Sequence, residues 1–157
     1  MILSELIPVD TEILFACIGT DRSTGDCVGP LTGTWLEEKG YTVIGTLDNP
    51  LHALNLVERM SLAKKMYPQH FVVAIDACLG KFESIGNIII ENGPLFPGKA
   101  VKKELPAVGD VSIKAIVNLG GFQEFTVLQN TRLNVSWKLA QEITRLCEMT
   151  MKQLVRN

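Results

Sequence analysis

The 157-residue chain carries 15 Lys and Arg against 17 Asp and Glu, a formal net charge of -2, so its bulk charge draws it neither to nucleic acid nor to an anionic membrane. With 46% hydrophobic and 20% charged residues it lies in the globular range, long enough to bury its own core and far from the composition of disorder. A single α/β domain over residues 1–157 is the expectation.

The first twelve residues hold Glu5, Asp10 and Glu12 and no basic cluster, which does not suit a secretory signal. No apolar run reaches the roughly 18 residues that a membrane span needs. Cys17, Cys27, Cys78 and Cys147 form no CxxC pair and read as reduced thiols, so a cytoplasmic setting is expected.

In chain order, residues 12–18 form a short apolar run ending at Gly19, a buried strand followed by a glycine-punctuated loop. A helix over about 28–39 follows: Pro30 suits its first turn, Val28, Leu31, Trp35 and Leu36 share a face, and Gly40 stops it. Tyr41 to Leu47 reads as a second strand. Asn49 and Pro50 then suit the cap and first turn of a helix running to about Tyr67, where Pro68 closes it. Residues 71–75 are the strongest strand, an apolar run of the kind covered on both faces, ending at Asp76. Strands near 87–91 and 111–117 come next. A closing helix over roughly 131–154 repeats Leu133, Trp137, Ala140, Ile143, Cys147 and Leu154 at helical spacing. Alternating strands and helices imply a three-layer αβα sandwich around a mostly parallel sheet.

In such a sheet the binding crevice lies beyond the carboxyl ends of the strands, where the strand order reverses. Asp26, in the glycine loop after the first strand, and Asp76, after the third, both face that crevice if those strands are neighbours. A carboxylate near a helix amino terminus favours its ionised form, whereas one at a desolvated strand end is pushed toward the neutral acid. Asp26 is therefore the expected base and Asp76 the expected acid. Competing structural readings are a helix cap for Asp26 and a loop brace for Asp76.

His52 lies where it can reach the same rim, and His70 belongs to the opposite end. Two aspartates and one histidine match no metal-ligand spacing, so neither a metal nor another cofactor is expected. Arg22 and Ser23 are placed to meet an anion at the helix terminus. The loop nevertheless has neither the GK[ST] ending of a P-loop nor GxGxxG, which argues against nucleotide binding. No GxSxG elbow is present, and Cys27 and Cys78, which flank the aspartates, read as small buried residues before they read as nucleophiles.

The segments GTDRSTGDCVGP at 19–30, FVVAIDACLG at 71–80, GPLFPGKAVKKELPAVGDVSI at 93–113, VNLGGF at 117–122 and VLQNTRL at 127–133 together resemble the YyaC family of sporulation proteins, often labelled spore proteases. More distantly the chain is similar to the germination protease and to hydrogenase maturation endopeptidases, which share a phosphorylase/hydrolase-like α/β fold. Gly25-Asp26-Cys27-Val28-Gly29-Pro30 echoes a Pro-Asp-Ala-Leu-Gly-Pro turn of the germination protease, and Ala74-Ile75-Asp76-Ala77 matches its Ala-Ile-Asp-Ala strand end. The resemblance implies that Asp26 and Asp76 activate a water that attacks a peptide carbonyl. It also implies a peptide or small spore protein as substrate, and a bacterial cytoplasm, that of the forespore included. Arg22, Gly25, His52, Lys99 and Asn118 complete the expected substrate-contacting set. The loop with Lys99, Lys102 and Lys103 reads either as a solvated basic segment or as a contact for an acidic part of the substrate. Hydrogenase endopeptidases use a later histidine to engage nickel in their substrate; no histidine follows His70 here, which argues against a nickel-guided role. The alternative from another class is a noncatalytic sporulation factor that binds a peptide or protein partner in the same crevice, and a small-molecule or phosphate-binding hydrolase is a third. Oligomeric state is left open.

Overall fold

The computed structural model describes residues 2–97 and 104–157. Among them a five-stranded sheet forms, with strands β1 (Ile13–Cys17), β2 (Val43–Ile44), β3 (Phe71–Gly80), β4 (Ile88–Asn92) and β5 (Val111–Leu119) in the order β2-β1-β3-β5-β4. Every pairing is parallel except that of β4 with β5. The expected mostly parallel α/β sandwich is therefore what forms. The order reverses between β1 and β3, because β1 leads outward to β2 and the chain then crosses back to β3.

All five residues of β1 are buried, as a strand covered on both faces requires. On one face Phe15, Val73, Ile75 and Ile113 meet α2 (Val28–Glu38) and α5 (Leu133–Arg156) through Val28, Leu31, Leu36, Leu139, Ile143 and Cys147. A short helix α1 (Leu3–Leu6) anchors Leu3 in the same cluster. On the other face Leu14, Ala16 and Ala74 pack on Leu56, Met60 and Ala63 of α3 (Leu56–Met66). A further helix, α4 (Glu124–Gln129), follows β5 and adds Leu128 to the first cluster.

Four expectations shift, each for a local reason. The second strand keeps only Val43 and Ile44, because Gly45 turns at φ +96 and Thr46 and Asn49 close a turn on each other. The helix expected from Asn49 and Pro50 begins instead at Leu56: Leu51 is held extended in a bridge to Ile18, and Asn55 ties the turn, its Oδ1 accepting from the His52 N–H and its Nδ2 donating to the Pro50 carbonyl. The third strand does not end at Asp76 but runs to Gly80, because β5 continues to pair with it past a bulge at Cys78/Leu79. Finally, α1 and α4 are too short to display a helical period.

Glycines let α2 lie against the end of β1. A Cβ on Gly29 would stand 2.0 Å from the Ile18 carbonyl oxygen, a backbone atom that cannot step aside. Gly29→Ala is expected to cost about 2 kcal/mol or more in urea unfolding; an unchanged midpoint would show that the strand and helix can part freely.

Candidate active site at the parting of β1 and β3

The last backbone bond from β1 to β3 runs from the Ile18 N–H to the Ile75 carbonyl, at 2.7 Å. Gly19 then donates to the Leu51 carbonyl at 2.8 Å, so β1 bends toward β2 while β3 runs straight on. Asp76 is the first residue of β3 beyond that parting, and on its other side it pairs with Lys114 of β5.

Asp26 arrives from the loop. Thr24–Asp26 form one 3-10 turn, closed by the Asp26 N–H on the Ser23 carbonyl at 3.0 Å, and the turn packs against β3. The Asp26 carbonyl accepts from the Thr20 N–H at 2.9 Å. Gly19 makes this crossing possible: it sits at φ +143, and a Cβ there would stand 2.1 Å from the Asp26 carbonyl oxygen. Strand end and aspartate turn are thereby fastened together.

The turn is held from behind by a polar relay. The Thr24 hydroxyl donates to the Thr131 carbonyl, and the Ser136 hydroxyl of α5 donates to the Thr24 carbonyl at 2.6 Å. Asn118, near the end of β5, donates from Nδ2 to the Thr131 hydroxyl at 3.1 Å, and that hydroxyl donates to the Val127 carbonyl at 2.8 Å. Gly25 is buried in the same contact, where a Cβ would meet the Leu128 carbonyl oxygen and the Thr131 hydroxyl, each at 2.7 Å. Asn118 and Gly25 therefore set the position of Asp26. Thr24, Thr131 and Ser136 are the residues that sequence reasoning passed over; VLQNTRL stood out as a motif, but nothing in it showed which turn its threonine would grip.

Electrostatics joins the two acids. Burial pushes the Asp26 carboxyl from the ordinary 3.8 up to about 7, against a smaller downward pull from the Thr20 N–H. Burial also raises Asp76 well above its ordinary value, the negative charge of Asp26 adds to the rise, and the Ala77 N–H partly offsets it. The residue as a whole is half-buried, but its Oδ1 is covered from solvent and finds no hydrogen-bond partner among the described residues. The helix-terminus argument for Asp26 fails here: Cys27 is the N-cap of α2 and no side chain caps it, so burial sets the Asp26 pKa. Both acids are shifted in the same direction, and the charge of Asp26 is a cause of the Asp76 shift.

The remaining candidates scatter. Arg22 is exposed, its own N–H on the Thr20 hydroxyl at 3.3 Å, and the amino terminus of α2 is buried at Val28 to Pro30, which leaves no open anion site there. His52 follows Leu51 on the β2 side of β1 and accepts on Nδ1 from the Leu54 N–H at 3.2 Å. Lys99, with Lys102 and Lys103, lies outside the described residues. His70 stands at the other end of the sheet beside Glu12, at 3.2 Å. Cys27 donates its thiol to the Thr24 carbonyl at 3.0 Å, and burial pushes its pKa up, the opposite of what a nucleophilic thiolate requires. Among the described residues no cluster of three or more His, Cys, Asp or Glu could hold a metal.

The α/β fold is shared with a hydrogenase maturation protease. The crystal structure of the [NiFe] hydrogenase maturation protease HycI from Thermococcus kodakarensis KOD1 matches 93% of this chain and 98% of its own with a TM-score of 0.57, at 20% sequence identity, which is likeness of fold. The chain itself belongs to the family described as "Protein of unknown function (DUF1256)", whose model matches residues 1–146. It is 47% identical over 141 residues to the uncharacterized protein YyaC of Bacillus subtilis (strain 168), covering 88% of this chain and 69% of that one. No helix among the described residues is long and apolar enough to cross a membrane.

Raised carboxyl pKa values tax stability in a defined window. Above the ordinary 3.8 an unfolded Asp76 is ionised, while the folded one keeps its proton, so stability falls as pH rises from there toward the folded value. Asp76→Asn removes this cost and is expected to raise the melting temperature at pH 7, with the gain vanishing below about pH 4. A lower melting temperature at both pH values would contradict it.

Proposed function

We propose that the chain is a peptide hydrolase in which Asp26 and Asp76 share the proton work of hydrolysis. The reading is carried by one observation: two buried carboxyls at the switch point of the sheet, one raising the pKa of the other, with an Asp76 oxygen left unpaired. Buried polar atoms without partners are uncommon, and perturbed carboxyl pairs gather where chemistry is done.

In the active form Asp26 is ionised, as about half of it is near pH 7, and Asp76 keeps its proton. Ionised Asp26 takes a proton from water as the oxygen attacks the peptide carbonyl, and neutral Asp76 donates a hydrogen bond to the carbonyl oxygen as it becomes negative. Collapse of the tetrahedral intermediate breaks the C–N bond, and the proton held on Asp26 passes to the leaving amine. The pair returns to its starting state with one proton between its two members.

The substrate in this reading is a peptide segment of a small spore protein, and the compartment a bacterial cytoplasm, the forespore included. The sporulation assignment is supported by the resemblance to the YyaC family. A nickel-guided version is not part of the proposal, since the sequence after His70 contains no histidine.

Purified protein incubated with peptide libraries and small acid-soluble spore proteins, followed by mass spectrometry, is expected to yield cleavage products. Asp26→Asn is expected to lower kcat/KM by about 10²- to 10⁴-fold. The same constant is expected to rise about tenfold per pH unit below pH 7 and to level off above, as the group with a pKa of about 7 ionises. Cleavage by Asp26→Asn and Asp76→Asn at the wild-type rate would sink the proposal.

A further inference from the structure

The β3 strand outruns β1 by the five residues 76–80, and the lane β1 would have filled begins beside the carboxyl pair. Alternation assigns the main-chain groups along it. Phe71 and Ile75 bond toward β1, through the Phe71 N–H on the Glu12 carbonyl at 2.8 Å and the Ile75 carbonyl on the Ile18 N–H. Val72 and Gly80 bond the other way, their carbonyls accepting from the Asp110 N–H at 2.8 Å and the Gly120 N–H at 2.9 Å. The bulge puts its extra residue, Val117, on β5, so the alternation of β3 is kept. Ala77 and Leu79 therefore turn their N–H and carbonyl groups into the vacated lane.

No backbone group among the described residues bonds to them there. The Ala77 N–H lies against the Asp76 carboxyl. The Ala77 carbonyl, the Leu79 N–H and the Leu79 carbonyl remain, an acceptor, a donor and an acceptor in strand order. Their positions are fixed, since Ala77 and Leu79 pack their side chains on the core and residues 73–80 are laddered to β5.

We propose that this edge binds an extended peptide as an added strand in the lane that β1 leaves, so that the peptide backbone passes the Asp26 and Asp76 carboxyls. The inference rests on the peptide-hydrolase reading and supplies its mode of substrate binding. A row of alternating main-chain acceptors and donors is matched by an extended chain, with side-chain pockets secondary. Phe82 beyond β3, Leu119 at the end of β5, and Phe122 and Phe125 beyond β5 are exposed at the same end of the sheet, which favours apolar side chains on the occupant.

The test uses Asp26→Asn protein, so that binding is read without turnover, and fluorescence anisotropy of labelled octapeptides selected from a pool rich in Val, Ile, Thr and Phe. The tightest binder is then resynthesised with N-methyl groups at single positions along its length. Strand addition predicts a loss of about tenfold or more at alternating positions, whose N–H groups face β3, and near-unchanged affinity at those between. Uniform sensitivity, no sensitivity, or no binder in the pool would overturn it. Leu79→Pro, which removes a donor from the lane and none from the ladder, is expected to weaken binding similarly while its circular dichroism stays that of the parent. Alternating sensitivity in a protein that cleaves nothing would retain the binding mode and remove the hydrolase; cleavage indifferent to N-methylation would do the reverse.

Discussion

Two carboxyl groups withdrawn from water and lying in each other's field cannot both ionise near neutral pH, and the arrangement around Asp26 and Asp76 is organised by that constraint. Burial supplies the larger share for each. Proximity then separates them, because whichever acid loses its proton first raises the pKa of the other. The physical result is a pair whose carboxyls both keep protons to higher pH than free aspartates do, and a pair that has lost one of its protons can accept at one oxygen and donate at another.

The fold supplies the proximity by letting two strands part. Because β1 bends at Gly19 toward Leu51 while β3 runs on beside β5, Asp76 lies at the parting of the two strands, and the Asp26 turn packs against β3. Asp26 is then positioned by groups that do no chemistry: the hydroxyls of Thr24, Thr131 and Ser136, the amide of Asn118 and the missing side chain of Gly25. These contacts tie the turn to β5, α4 and α5, so the position of the first acid depends on chain a hundred residues downstream as much as on its own loop. The Cys27 thiol nearby is pushed toward its protonated form by burial.

Much of this was legible in the residues. Apolar runs at 12–18 and 71–75 gave away β1 and β3, and the rule that ligands gather at the switch point named Asp26 and Asp76. What stayed hidden was tertiary. The pairing of β3 with β5 past Asp76 changes a strand tip into a strand edge, and no local pattern announces a partner 38 positions away, the offset between Asp76 and Lys114. Asn118 and Gly25 read as substrate contacts because they lie in loop motifs; their hydrogen bonds and packing show them bracing a turn. His52 was placed at a helix start that the Ile18–Leu51 bridge delays, so it follows a residue on the β2 side of β1, with β1 between that side and β3. The helix-dipole argument for an ionised Asp26 failed because burial outweighs it at this site.

The most direct test is a carbon-13 NMR titration of protein labelled at the aspartate carboxyls, with Asp26 and Asp76 assigned by single substitution to Asn. The account predicts an Asp26 midpoint near 7 in the native protein, an Asp76 midpoint raised well above the ordinary 3.8, and a fall in the Asp76 midpoint when Asp26 is made Asn. Two independent titrations near pH 4, each unmoved by loss of the other, would contradict it.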